Sequence, residues 1–356
     1  MKKKNVVLYI IIAFLLGLLT MFVLKDKVVD KKEENVKKIT TTTLEEQSDL
    51  KKGINNIYEA VVYIEVSNNR GPISSGSGFV YKDGYILTNY HVIENGTSFK
   101  IIMSDNSEID ATYVNGDEFY DIAVLKINSK LKKIASLGDS SNIELGDTVF
   151  TVGAPLGKEY KGTITKGIVS GTNRMVSVEL SSGTYLMEVI QTDASINSGN
   201  SGGPICNING DVIGITSSKL KGTGVEGMGF AIPINSVKEI IDKLENGEKI
   251  ERPYLGVQLA DLNNIYALQY YYNIRIGSSV TYGAVLSYIE SGKAADKAGL
   301  KVGDVIVSMD DIKIEDTSHF KYQLFKHKIG DKVKIKYYRY NELRETTLEL
   351  KEAIKW

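Results

Sequence analysis

One cysteine, Cys206, five prolines and three histidines are all that a chain of 356 residues contains of these types. A lone thiol closes no intrachain disulfide, and a metal site built from several cysteines is excluded with it. Chemistry that needs an imidazole base must draw on His91, His319 or His327. Charge of one sign is also missing: 43 basic residues face 44 acidic ones, for a net charge of -1. A nucleic-acid partner would call for a basic stripe or a known reader motif, and neither is present, so no nucleic-acid role is expected. What the chain does have is 33 glycines and an apolar fraction of 42%, a composition that suits a turn-rich β protein with true cores. Its length suggests about two domains.

The N-terminus carries Lys2-Lys3-Lys4 and then an uncharged apolar run from Val6 to Leu24. At a rise of about 1.5 Å per residue such a run reaches the thickness of a bilayer's hydrocarbon core. The run ends in Met21-Phe22-Val23-Leu24-Lys25, without the small residues of a cleavage site, and no lipobox cysteine follows. Residues 1–24 are therefore expected to form a cytoplasmic lysine stub and a signal-anchor transmembrane helix. The leading lysines place the N-terminus in the cytoplasm and everything after Leu24 outside it. Residues 25–50, with Thr40 to Thr43 among mixed charges, lack the bulky apolar groups needed to order themselves and are expected to be a flexible tether.

From Ile54 short β-rich runs follow one another, punctuated by Gly, Asn and Asp; examples are Val61 to Val66, Gly78 to Tyr81, Ala123 to Ile127, Thr148 to Val152 and Val212 to Ser217. Many short strands with such punctuation point to an all-β sandwich or a pair of barrels. A helix capped by Asn235 or Ser236 and stopped by Gly247 closes this region, with Val237, Ile240, Ile241 and Leu244 on one face. Glu248 to Arg252 reads as a short link. Residues 51–248 and 249–356 are thus expected to be separate domains. The second alternates strands with two helices, Ala294 to Ala298 and Ser318 to about Lys328.

Chemistry is carried by three motifs. Ser201 lies in Gly199-Asn200-Ser201-Gly202-Gly203-Pro204. A serine hydroxyl needs an adjacent base and a receptor for the oxyanion, and flanking glycines let the backbone turn its N–H groups, here those of Gly199 and Ser201, towards a reacting carbonyl. Taken alone, the motif is a Gly-rich turn. His91 follows a strand in Thr88-Asn89-Tyr90-His91-Val92, and Asp121 precedes one in Asp121-Ile122-Ala123-Val124-Leu125. The order His, Asp, Ser is that of the double-barrel serine proteases.

With Gly76-Ser77-Gly78-Phe79-Val80, Gln191 to Asn197 and Gly229-Phe230-Ala231-Ile232-Pro233, these motifs make the chain resemble the HtrA family of trypsin-like serine proteases, of DegP/DegS-like kind, over nearly all of its length after the tether. The resemblance implies a mainly β fold: a chymotrypsin-like double β-barrel followed by one α+β PDZ domain. It implies Ser201 as nucleophile, His91 as base and then acid, Asp121 as the group that fixes the imidazole, and no metal or organic cofactor.

The same resemblance extends to specificity and regulation. Ser195, Ile196 and Lys219 would line the primary pocket; an uncharged Ser195 disfavours Lys or Arg, and Ile196 would make the pocket shallow and apolar. Between Gly171 and Glu188 a flexible loop is expected, with Arg174 as its sensor of activators. Tyr254-Leu255-Gly256-Val257 resembles the carboxylate-binding loop of PDZ domains, with Arg252 as a charge contact and Phe320 and Leu324 facing the peptide. Ser291 to Ile306 matches the family pattern apart from Lys293, where relatives usually carry Pro. A second departure is the stretch Tyr266 to Tyr272, whose plain reading is core or rim packing. His319 and His327 are read as surface or groove-lining residues. Implied partners are unfolded or misfolded proteins and hydrophobic peptide C-termini, in a membrane-anchored homotrimer serving protein quality control and the stress response. Two other readings stay open, a non-catalytic chaperone or peptide-binding scaffold and a dedicated signalling protease.

Overall fold

The computed structural model describes residues 9, 11–25, 48–129, 133–155, 157–180, 183–220 and 227–354. The chain divides into two compact units, residues 1–56 with 208–210, and residues 57–207 with 211–356. In the first, residues 11–25 are helical and their large apolar side chains are exposed, Phe14 and Phe22 at 68% each. Residues 48–56 are also helical, so helix intrudes on the expected tether. The expected anchor residues 6–8 and 10 and tether residues 26–47 lie outside the described residues. Among the described residues, no helix is long and apolar enough to cross a membrane.

The second unit begins with six strands, β1 (Val61–Asn68), β2 (Gly71–Lys82), β3 (Tyr85–Thr88), β4 (Ser98–Ile102), β5 (Glu108–Asp117) and β6 (Ile122–Ile127). They close in the order β1-β2-β3-β6-β5-β4. Six more, β7 (Thr148–Gly153), β8 (Thr163–Leu180), β9 (Gly183–Thr192), β10 (Pro204–Asn207), β11 (Val212–Thr216) and β12 (Gly229–Pro233), close in the order β10-β11-β12-β9-β8-β7. Closure removes the free edges that an open sheet would leave. Val62, Ile64, Val80, Ile86, Ala123 and Leu125 fill the first barrel, and Val149, Val169, Ile190, Ile205 and Ile213 the second. Strand β1 is buried from Val61 through Ile64 without alternation. Its outward side chains are covered too, as Tyr63 and Ile102 pack on Ala154 of the second barrel. That contact sets the seam in which the site lies.

The expected helix after the barrels is two short ones, Ile234–Lys238 and Ile241–Glu245. A tight turn with Ile240 N–H bonded to Val237 O separates them, yet the predicted apolar stripe is buried as a whole. Beyond it lies a sheet in the order β14-β15-β16-β18-β19, formed by Val257–Asp261, Ala284–Ile289, Val305–Met309, Lys332–Arg339 and Glu342–Glu349. Strand β17 (Ile312–Lys313) pairs with β16, while β13 (Pro253–Tyr254) and β20 (Glu352–Ala353) form a separate pair. The helices Ala294–Lys297 and Thr317–Phe325 complete this domain. The Ile265–Tyr272 helix buries only Leu268; Tyr266, Tyr270 and Tyr271 are 88%, 83% and 76% exposed, so core packing does not explain them.

Candidate active site

Strand β3 ends at Thr88, and the one-turn helix Tyr90–Ile93 that follows lifts His91 into the seam. Asp121 precedes β6 in a left-handed conformation, φ 53°, which a non-glycine residue holds only when its surroundings demand it. They do: its carbonyl accepts from Asn89 Nδ2 at 2.9 Å and from Tyr90 N–H at 3.1 Å. The carboxylate, 2% exposed, faces His91 Nδ1 at 2.9 and 2.8 Å and accepts His91 N–H at 2.9 Å and Ser217 Oγ–H at 3.1 Å. A carboxylate at Nδ1 keeps that nitrogen protonated and leaves Nε2 as the basic atom.

Ser201 sits on a turn held from the first barrel. Ser77 N–H donates to Ser201 O at 2.8 Å, and Ser77 Oγ–H to Gly199 O at 2.6 Å. Gly202 has φ 84°, and a Cβ there would strike Ser77 O and Thr88 Oγ1, so the motif needs glycine at this point. Among the described residues, no acceptor takes the N–H of Gly199 or Ser201, which leaves both donors for an oxyanion. Ser201 is 2% exposed. Its Oγ does not meet His91; it lies 2.6 Å from Ser218 Oγ and accepts Ser218 N–H at 2.9 Å. Burial pushes the Cys206 thiol well above its ordinary range, so it is no rival nucleophile.

In the C-terminal sheet β14 is an edge strand, and the loop before it carries Gly256 at φ 74°. Among the described residues, no acceptor takes the N–H of Leu255 or Gly256.

Residues 76–215 match the model of the trypsin-like peptidase domain, and residues 253–350 that of the PDZ domain. The chain is 42% identical over 291 residues to the serine protease Do-like HtrA of Lactococcus lactis subsp. cremoris, covering 79% of this chain and 71% of the relative. It is 43% identical over 274 residues to the corresponding Bacillus subtilis protein, 74% of this chain and 61% of the relative. The chain belongs to the HtrA family of serine proteases. It is a serine endopeptidase with one PDZ domain. A solved structure titled HtrA-type protease AlgW with decapeptide superposes with a TM-score of 0.69 at 29% identity, over 86% of this chain and 99% of that one.

Of the expected site residues of this HtrA chain, Arg252, Phe320 and Leu324 do something else, and the expected loop between Gly171 and Glu188 is strand. Ser195 is exposed, and its carbonyl accepts from Thr165 Oγ1 and Asn200 Nδ2 at 3.1 and 3.2 Å. Ile196, 3% exposed, packs on Gly229, where a Cβ would come within 2.6 Å of it. Lys219 is exposed, while its neighbour Leu220 is buried. The loop expected between Gly171 and Glu188 is instead the outer half of the β8–β9 hairpin, paired from Arg174↔Val189 to Leu180↔Gly183. Its Val178, Tyr185 and Met187 are buried, an alternation that favours strand. Arg174 is exposed on this hairpin.

Arg252 contacts no peptide groove. It is 4% exposed and bonds Asp117 of the protease domain through both terminal nitrogens, at 2.8 and 2.7 Å. Its guanidinium lies 4.5 Å from the Phe119 ring centroid and 5.9 Å from that of Phe325. Phe320 and Leu324 are 1% and 5% exposed within the PDZ core, alongside Leu286 and Ile335. Helical spacing put both on one face, but that face seals the sheet. Tyr254, half-buried, donates its hydroxyl to Glu290 Oε2 at 2.9 Å; Leu255 is buried, and Val257 begins β14. The outer face of the Thr317–Phe325 helix meets the hairpin: Tyr322 Oη–H donates to Glu188 Oε2 at 2.5 Å and Phe325 stacks on Tyr185. The sequence assigned no role to Ser77, although it lies in the Gly76–Val80 motif, nor to Ser217 or Ser218, small polar residues without a motif of their own.

Proposed function

We propose that this protease is a membrane-anchored, ATP-independent enzyme that cleaves misfolded or exported proteins at the extracytoplasmic face of the membrane. Ser201 is its nucleophile, His91 its base and Asp121 the group that orients and stabilises the imidazolium. The pairing of His91 Nδ1 with the buried Asp121 carboxylate, 2.8 Å apart, carries the assignment. In the reaction Ser201 Oγ attacks the scissile carbonyl as His91 Nε2 takes its proton. The oxyanion collects the N–H groups of Gly199 and Ser201, and His91 returns the proton to the leaving amine. Ile196 against Gly229 favours a small apolar side chain before the cut.

The PDZ domain takes peptide C-termini, the carboxylate at the Leu255–Gly256 N–H groups and the strand added to the free edge of β14. Homotrimers anchored through residues 6–24 present these sites outside the cell. Ser201→Ala tests the chemistry with casein as substrate; full cleavage by that variant would exclude Ser201. Added protease digests the catalytic domain of intact cells if it faces outward, and leaves it whole if it does not.

A further inference from the structure

The contact between Ser201 and Ser218 is not part of any catalytic step. Strand β11 ends at Thr216, and Ser217 is pinned on both sides, its hydroxyl on Asp121 Oδ2 at 3.1 Å and its N–H on Phe230 O at 3.1 Å. The next residue therefore has little freedom, and both its N–H and its hydroxyl point at Ser201 Oγ, 2.9 and 2.6 Å away. A serine oxygen has two lone pairs and one proton. If Ser218 donates its hydroxyl, both lone pairs of Ser201 are taken. If Ser201 donates instead, its proton is aimed away from His91. In either arrangement Ser201 Oγ is engaged by Ser218 rather than by His91. His91, aligned by Asp121, stands ready without its partner.

The geometry points to Ser218 as a positioning residue that latches the nucleophile in the resting enzyme. A substrate whose carbonyl is seated on the N–H groups of Gly199 and Ser201 must displace Ser218 from Oγ, and Oγ then turns to His91 Nε2. The latch makes idle turnover slow and leaves the loaded site unaffected. It rests on Ser201 being the nucleophile.

The test uses the full chain and diisopropyl fluorophosphate, a small probe that needs the reactive serine and little substrate binding. Ser218→Ala removes one of the two bonds and is expected to raise, about five-fold, the rate at which Ser201 Oγ takes the diisopropylphosphoryl group and fluoride leaves, the scale of one net hydrogen bond. Cleavage of a peptide gains in kcat/KM at low substrate, while kcat at saturation stays near the parent value. Ser218→Thr keeps the hydroxyl and restores the slow rate. Should Ser218→Ala fail to fold, Ser218→Gly carries the same comparison. A rate equal to or below the parent's in the folded variant, or Ser218→Thr reacting as fast as Ser218→Ala, overturns the latch. Ser201→Ala separates the two ideas, because labelling that survives in it removes the nucleophile assignment itself.

Discussion

Arg252, at the entry to the PDZ domain, and Asp117 of the protease domain form a bidentate ion pair, with side chains only 5% and 7% exposed. Asp117 Oδ1 also accepts Tyr120 N–H at 2.7 Å, so one carboxylate receives the interdomain arginine and holds the turn that delivers Asp121. Phe119 lies under the guanidinium and makes edge contacts with Tyr185 and Phe325. The link between the domains is thus also a support of the catalytic acid.

Arg252→Ala leaves Asp117 charged and buried, and breaking such a pair from one side costs about 3 kcal/mol or more. The expected result is that loss in denaturant unfolding, with a several-fold fall in kcat. Arg252→Lys should recover only part, since an ammonium lacks the planar fork and the ring stacking. A double-mutant cycle with Asp117→Ala measures the pair; no coupling between the two changes would refute it.

Ser217 donates to Asp121 Oδ2 inside a buried site. Hydrogen bonds to charged groups are worth about 1.5–3 kcal/mol. Ser217→Ala should therefore lower kcat about ten-fold while KM shifts little, as the buried hydroxyl serves the carboxylate that supports the imidazolium. A change confined to KM would show that Ser217 lines the substrate path instead.

Much of this site was legible in the sequence because the motifs carrying His91, Asp121 and Ser201 each have a local shape: strand then turn, turn then strand, glycine turn. Barrel strands were legible from their texture. Arg252 was misread because its role depends on Asp117, 135 residues away in the sequence, a pairing that no local pattern reports. Phe320 and Leu324 show the limit of periodicity, which assigns a shared face but not what covers it. The β8–β9 hairpin read as a loop because Thr, Asn, Ser and Gly obscured the alternation of Val176, Val178 and Leu180. Ser218 had no signal, since its meaning arises only where β11 passes the nucleophile.

Gly202→Ala is predicted to disable the site through the backbone. At φ 84° an alanine is strained, and its Cβ would collide with Ser77 O and Thr88 Oγ1. Strain of this kind costs about 1–3 kcal/mol before the collision is counted. Gly292→Ala is the matched control, with φ 78° and no atom within 4 Å of its added Cβ. Thermal unfolding should show the first variant clearly less stable and inactive, and the second active with only the torsional penalty.

Tyr322 ties the Thr317–Phe325 helix to the hairpin through Glu188, and burial, reinforced by that bond, pushes its phenol well above the ordinary tyrosine range. A folded-state pKa raised above the unfolded value favours the neutral phenol in the fold. The stability it brings is complete below the unfolded pKa of about 10 and fades only as pH climbs through the higher folded value. The interdomain bond should therefore be indifferent to pH across the neutral range. In an absorbance titration near 295 nm, the parent minus Tyr322→Phe difference should show one phenol ionising late, well above the bulk of the exposed tyrosines. A difference that titrates with the bulk would mean that Tyr322 is free in solution and that the helix does not rest on Glu188.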